Sequence, residues 1–278
     1  MDTAEQAVKA EAFRALHRAP PLLLMANAWD AITARLFEAE GYAAVATTSG
    51  GVSWALGYAD GGAAPWDEVV GQTARIARAV AVPVTADIEA GFGATPEAVA
   101  RSIADIIGVG AVGVNLEDGA SGAAPIRPID DAVARIRAAR EAARDAGVPI
   151  VINARTDIYL KQIGDEESRF DEAVARGRAY LAAGADCFYP ITLRDPATIG
   201  RLARALKAPI NINVRAGFPS VAELEALGVA RVTTATQITL MALATTRQIA
   251  REIKTTGRFD GIDPQIPHPE MQHLMAKR

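Results

Sequence analysis

The chain has 278 residues, half of them hydrophobic and 22% charged, with a net charge of −4 at pH 7. Lys and Arg are scattered among Asp and Glu, so neither nucleic acid nor an anionic membrane finds a basic face to bind. The single cysteine, Cys187, excludes an intrachain disulfide and a cysteine zinc cluster, and no apolar run reaches the roughly 18 residues of a membrane span.

The first twenty residues carry Glu, Lys and Arg at helical spacing, without the apolar core or cleavage site of a secretory signal. A cytoplasmic protein is therefore expected. Residues 2–18 predict a helical preface with Phe13 and Leu16 on one side. A regular alternation follows. Strands are expected at 21–27, 43–47, 81–87, 110–117, 148–153, 186–190, 209–214 and 230–234. Helices are expected at 30–40, 65–80, from Thr95 onward, and at 130–146, 166–183, 195–206, 220–227 and 236–255. Thr95-Pro96-Glu97 is a clear start, a cap residue followed by proline at the first helical position. Residues 49–64 read as a loop of about 16 residues, long against the usual two to six, and hence functional.

Eight strand and helix units in alternation, within a length near the ~250 residues such a fold needs, predict a single-domain α/β protein, a (β/α)8 TIM barrel. In this division residues 1–20 form the N-terminal helix and 21–256 the barrel. Residues 257–278 form a C-terminal helical tail that packs on the barrel or on a neighbouring subunit. An open doubly wound sheet is the alternative.

In a barrel the carboxyl ends of the strands meet at one mouth, where chemistry sits. Asp87 and Glu89 end the third strand two residues apart, so they leave it on the same side, and like charges so placed repel unless a cation or proton lies between them. The plainer alternative is a pair of solvated acids at a strand end. The other strand ends contribute Asp30, Ser49-Gly50-Gly51, Asp60, Glu117, Asp118, Arg155, Asp157, Tyr189, Asn213 and Arg215. No histidine is among them, since His17, His268 and His273 lie in the preface and the tail. Converging carboxylates without histidine suit a hard, oxygen-preferring cation, Mg²⁺ or Mn²⁺. Arg155 offers a fork for a substrate carboxylate or phosphonate, or else a structural ion pair with Asp157. Ser49, Gly50 and Gly51 offer unobstructed backbone N–H groups to another anionic oxygen, or else make a plain turn.

Seven segments taken in order carry a family resemblance. They are Asn27-Ala-Trp-Asp30, Thr48-Ser-Gly-Gly51, Gly57-Tyr-Ala-Asp60, Ala86-Asp-Ile-Glu-Ala-Gly-Phe-Gly93, Val114-Asn-Leu-Glu-Asp118, Ile152-Asn-Ala-Arg-Thr-Asp157 and Asn211-Ile-Asn213. From Asn27 to about Met241 the chain resembles the isocitrate lyase and phosphoenolpyruvate mutase superfamily. The resemblance implies a (β/α)8 barrel in a homotetramer or dimer, its eighth helix exchanged between subunits, with Mg²⁺-dependent chemistry beside an α-keto acid carboxylate. It implies Asp87 as the direct metal ligand, with Asp60, Glu89 and Glu117 holding metal-bound waters. It also implies Ser49, Gly50 and Gly51 at the substrate carboxylate, and Arg155 and Asn213 at the far end of the substrate.

Two departures from the family pattern bear on chemistry. Glu89 stands where many members have Asp. The loop Asp118-Gly-Ala-Ser-Gly-Ala-Ala-Pro-Ile-Arg-Pro128 has neither the Lys-Lys-Cys-Gly-His signature of the lyase branch nor the asparagine of the phosphomutase branch. Cys187 falls inside a strand and reads as a buried, inert thiol. The expected function is a Mg²⁺-dependent carbon–carbon lyase or decarboxylase on a small 2-oxo or 2-hydroxy dicarboxylate resembling oxaloacetate. Its candidate catalytic groups are Arg155, Glu117 and Tyr159, with Tyr189 the other tyrosine able to donate a proton. Phosphoenolpyruvate mutation or phosphonopyruvate hydrolysis is the first alternative, and a catalytically silent metabolite-binding barrel the second. Residues 119–128, small through their first half, are expected to close over the bound ligand.

Overall fold

Short buried strands alternate with amphipathic helices throughout the computed structural model, which describes residues 2–18, 20–120, 125–263 and 265–276. The strands are β1 (Leu23–Ala28), β2 (Val45–Thr47), β3 (Val84–Asp87), β4 (Gly113–Glu117), β5 (Val151–Thr156), β6 (Cys187–Pro190), β7 (Asn211–Asn213) and β8 (Arg231–Thr233). The helices are α1 (Thr3–Ala15), α2 (Ala31–Ala39), α3 (Ser49–Leu56), α4 (Trp66–Ala79), α5 (Pro96–Gly108) and α6 (Ile129–Asp145), then α7 (Glu166–Ala182), α8 (Pro196–Leu206), α9 (Val221–Ala226), α10 (Gln237–Thr256) and α11 (His268–Ala276).

All strand pairs are parallel, in the order β6-β5-β4-β3-β2-β1-β8-β7. The circle closes through a parallel bridge between Phe188 and Ile210, with Phe188 N donating to Pro209 O at 3.0 Å. This is the predicted (β/α)8 barrel. Its main core lies between sheet and helices. On α5, for example, Thr95 and Pro96 start the helix, and Val99, Ile103, Ile106 and Ile107 form one buried stripe.

The preface helix α1 seals the N-terminal end of the barrel. Asp2 and Glu5 form a reciprocal capping box, and Gln6 Nε2 donates to the carbonyls of Ile107 and Ala111. A Cβ on Gly113 would come 2.7 Å from Phe13 Cε1 and 2.9 Å from Thr85 Oγ1, so only glycine lets Phe13 reach this depth.

The expected loop at 49–64 is corrected in its first half, where residues 49–56 form α3. Its glycines lower intrinsic helix propensity, but Val52 and Ser53 are buried, and packing overrides that preference. The tail forms α11, docked on α2 by Arg35, whose Nε and Nη2 donate to Leu274 O at 3.1 and 2.6 Å. By contrast, α10 buries only Thr239 and presents Leu240, Met241 and Leu243 to solvent. Leu24 on β1, paired with Val232 of β8, is 36% exposed.

Candidate active site

The mouth is organised by β3. Asp87 N donates to Thr47 Oγ1 at 2.8 Å, which fixes the strand end against β2. The Asp87 carboxylate accepts Ser49 N on Oδ2 (3.2 Å) and Glu89 N on Oδ1 (3.4 Å). The first turn of α3 therefore aims a backbone N–H at Asp87, at the helix end that favours negative charge. To make its contact, Glu89 adopts φ 48°, a left-handed conformation uncommon outside glycine and concentrated at functional sites. Glu117 N donates to Glu89 O at 2.9 Å, tying the end of β4 to the same turn.

Side by side on β4, β5 and β6, Glu117, Arg155 and Tyr189 occupy one register level. Arg155 Nη1 meets Glu117 Oε2 and Arg155 Nε meets Asp157 Oδ1, each at 2.7 Å. The structural pair with Asp157 is thus present, and Glu117 joins it. Nη2 of Arg155 has no hydrogen-bond partner among the described residues. Asp60 sits above α3, where a Cβ on Gly50 would come 3.1 Å from its Oδ2. Gly51 is packed more tightly still, since a Cβ would meet Thr48 Cγ2, Trp29 Cβ and Thr239 Oγ1 at 2.7–2.9 Å. The glycine pair is required by close packing as well as by any ligand.

Negative charge exceeds positive here. Burial raises the Asp87 carboxyl above its ordinary value, with Asp60 adding to the effect and Arg155 opposing it. Burial and then Asp87 push Glu89 up to about 7. Glu117 rises to about 8 because burial, with Asp157, Asp87 and Glu89, outweighs Arg155. Burial alone would lower Arg155, but Glu117, Asp157 and Asp87 hold it above its usual value. Acids driven toward protonation by burial, and further by one another's charge, are a site into which a cation fits. All the donors are oxygen, as Mg²⁺ and Mn²⁺ prefer. Among the described residues, no group of three or more Asp, Glu, His or Cys is placed to hold a metal ion by itself. Such an ion would take few direct protein ligands and complete its shell with water and substrate, which is how Mg²⁺ is usually bound.

The family model for phosphoenolpyruvate phosphomutase matches residues 13–254. The chain belongs to this family. It lies within the isocitrate lyase and phosphoenolpyruvate mutase superfamily and is an enzyme of that superfamily. The 2-methylisocitrate lyase of Escherichia coli K12 is 34% identical over 213 residues, 73% of this chain and 69% of the relative. A Burkholderia cenocepacia J2315 protein provisionally described as a phosphonomutase is 41% identical, with a TM-score of 0.84 over 89% of this chain and 99% of its own. A 2,3-dimethylmalate lyase is 26% identical, with a TM-score of 0.84 over 96% and 94% of the two chains.

Some residues assigned to the mouth of this phosphomutase-family barrel stand elsewhere. Asp30 caps α2 in a reciprocal box with Thr33. Asp118 is buried behind the mouth, where its Oδ2 accepts from Arg176 Nη1 (3.1 Å) and Tyr180 Oη (2.7 Å). Tyr159 is also corrected: the charges around it are Arg169, Arg201 and Glu167 of α7 and α8, not the acid cluster. Tyr159 follows the end of β5 and packs against the core, with its hydroxyl buried and without a hydrogen-bond partner among the described residues. Tyr189 does stand among Arg155, Asp87 and Asp157. Asn213 Oδ1 accepts Thr192 N at 3.0 Å, joining the β6 and β7 ends. Cys187 is buried, and burial pushes its thiol up to about 12.

Sequence reasoning missed the residues that hold the mouth in place. Arg135 on α6, 2% exposed, donates to the carbonyls of Gly93 (2.9 Å) and Ala94 (2.6 Å) and so fixes the turn after β3. Asp118 Oδ1 accepts Asp157 N at 2.8 Å, placing the carboxylate that grips Arg155. Asp118 O accepts Arg127 N, and Gly119 bridges to Ile126, which together form the neck of the expected lid. The lid's tip, residues 121–124, lies outside the described residues.

Proposed function

We propose that this chain is a Mg²⁺-dependent carbon–carbon lyase or decarboxylase acting on a small 2-oxo or 2-hydroxy dicarboxylate of the oxaloacetate kind, through an enolate. One observation carries the reading. At the mouth the Arg155 guanidinium is gripped by Glu117 and Asp157, with Asp87 and Glu89 in surplus beside it. Asp87 would hold the ion directly, with Asp60, Glu89 and Glu117 toward its waters. When bound, Mg²⁺ supplies Lewis-acid stabilisation of the negative charge that develops as the bond breaks.

The chain's own groups do the rest. At the start of α3, where Ser49 N is already given to Asp87, the backbone N–H groups of Gly50 and Gly51 would receive one substrate carboxylate. Arg155, aligned by its two carboxylates, turns Nη2 toward the other end of the substrate, and Asn213 borders that end from β7. Tyr189 is protonated in the resting site, because burial raises its hydroxyl well above the ordinary value. Its place beside Arg155 makes it the tyrosine suited to protonate the enolate carbon.

The test is pyruvate release from oxaloacetate with Mg²⁺, with and without chelator. Metal-dependent turnover is expected, and its absence would count against the reading. The 41% identity to the Burkholderia protein favours phosphorus–carbon chemistry as the second reading. Phosphorus NMR of a reaction with phosphonopyruvate separates the two, since only the second consumes that compound.

The eighth helix bears on assembly. The exposed apolar residues of α10, together with the uncovered Leu24 and Ile32, support a homo-oligomer in which α10 covers a neighbouring barrel. Light scattering after gel filtration is expected to give a multiple of 29.2 kDa. The double variant Met241→Asp, Leu243→Asp should shift the species to lower mass, and a monomeric wild-type protein would overturn the assignment.

A further inference from the structure

Beneath the acid cluster the barrel interior holds a second charged group that the proposed chemistry does not use. Arg231 on β8 has no exposed surface and makes no ion pair among the described residues. Its Nη2 donates to Asn115 Oδ1 at 3.3 Å, and its Nη1 lies 3.5 Å from His17 Nε2. His17 Nδ1 is 2.9 Å from the Phe13 carbonyl, which can only accept. Nδ1 therefore carries the ring proton and Nε2 offers Arg231 a lone pair. Burial, then the charge of Arg231, lowers His17 to about 4, so the ring is neutral and provides no counter-charge. Burial likewise pulls Arg231 down to about 10, still protonated at neutral pH.

The strands around it leave polar atoms unmatched. Arg231 Nε and Asn211 Nδ2, on register partners of β8 and β7, are buried without a hydrogen-bond partner among the described residues, as are Thr85 Oγ1 and Asn153 Oδ1. A buried donor left without a partner is costly, and the carboxylate whose charge acts on Arg231, Asp87 in the cluster above, makes no ion pair with it among the described residues. The unpartnered Nε of the Arg231 guanidinium and the unpartnered Nδ2 of its register partner Asn211 call for an acceptor that also carries negative charge. A water molecule would meet the first need and not the second.

An independent feature leads to the same place. On the N-terminal face of the barrel, opposite the mouth, an open cavity of about 600 Å³ is lined by His17, Arg18, Arg204 and Lys207 and, among the described residues, by no acidic one. His17 is both the inner wall of this basic cavity and the neighbour of Arg231.

We propose that the barrel floor binds a small monovalent inorganic anion, of halide size, between Arg231 Nε and Asn211 Nδ2, admitted from the basic cavity past His17. The site lies below the mouth, near enough for Asp87 and Tyr189 to act on the charge of Arg231, and does not depend on which bond the enzyme breaks.

Bromide is the probe. Crystals of the wild-type protein grown in sodium bromide, with data collected at the bromine edge, are expected to show an anomalous peak touching Arg231 and Asn211. Density there without anomalous signal, or no density, would overturn the proposal. In solution, the metal-free protein should melt ~2 °C or more higher in sodium bromide than in sodium gluconate at equal ionic strength. Arg231→Gln removes a buried hydrogen-bonding group and can fail to fold, so the informative variant is Asn211→Asp, which sets a covalent carboxylate beside Arg231. Asn211→Asp is expected to lose both the anomalous peak and the bromide-dependent rise. A rise of unchanged size in that variant would show general salt action and refute the site.

Discussion

Replacing Asp87 with asparagine is expected to abolish metal-dependent turnover while leaving the metal-free fold as stable as before or more so. Asparagine keeps an oxygen that can accept from Ser49 N or Glu89 N, the two hydrogen bonds that locate the side chain. What it removes is the charge at the centre of the acid cluster. A transition state that relies on one such electrostatic contact loses about 10²–10³-fold or more in rate when the contact is removed. Mg²⁺ affinity, read by isothermal titration calorimetry, should fall with it. Stability should move the other way, because burial and Asp60 already disfavour the Asp87 carboxylate, so its removal relieves repulsion on Glu89 and Glu117. Initial rates, calorimetry and melting in chelator check the three parts. Turnover within tenfold of wild type would remove Asp87 from the metal site, and the proposed chemistry with it.

How far the sequence revealed this arrangement depended on the kind of signal each residue carries. The barrel was legible because its period is written repeatedly: a short apolar run, a capped amphipathic helix, then the next run. The acids at the mouth were legible because strand ends have a fixed direction in that fold, so Asp87, Glu89 and Glu117 could be placed without knowing their contacts. Helix α3 was not, because two glycines hide a segment held by packing against Thr48, Trp29 and Thr239. Asp30 and Asp118 look identical to Asp87 in a list of strand-end acids. One is a helix cap, and the other turns behind the strand to Arg176 and Tyr180, partners 58 and 62 residues away. Tyr159 was misplaced by the same limitation, since a residue past the end of a strand has lost the alternation that fixes its side. Arg135, on α6, reads as an ordinary helical arginine until the carbonyls of Gly93 and Ala94 are seen against it.

The second large effect concerns pH. In the metal-free protein Glu89 titrates at about 7 and Glu117 at about 8, both above the ordinary 4.5 of a glutamate. A carboxyl raised in the folded state holds its proton there after the unfolded chain has released it. Stability is therefore greatest below about pH 4.5 as far as these two groups are concerned, falls as pH rises through 7 and 8, and levels off above. Glu117, its side chain 14% exposed, carries most of the effect; at about 1.4 kcal/mol per pH decade its share is ~3 kcal/mol after allowance for its pairing with Arg155. For a chain of this size that corresponds to ~5–10 °C in melting temperature between pH 5 and pH 8.5 in chelator. Glu117→Gln should flatten most of the slope. Mg²⁺ acts on the same groups with the opposite sign, because it binds their ionised forms and must displace the protons they hold. The stabilisation by Mg²⁺ should then grow across the pH range over which the metal-free protein weakens. Calorimetric titration in buffers of different ionisation enthalpy should detect protons released on binding at pH 7. If melting in chelator were independent of pH from 5 to 8.5, Glu89 and Glu117 would be ordinary solvated acids, and the crowding that makes this mouth a cation site would not exist.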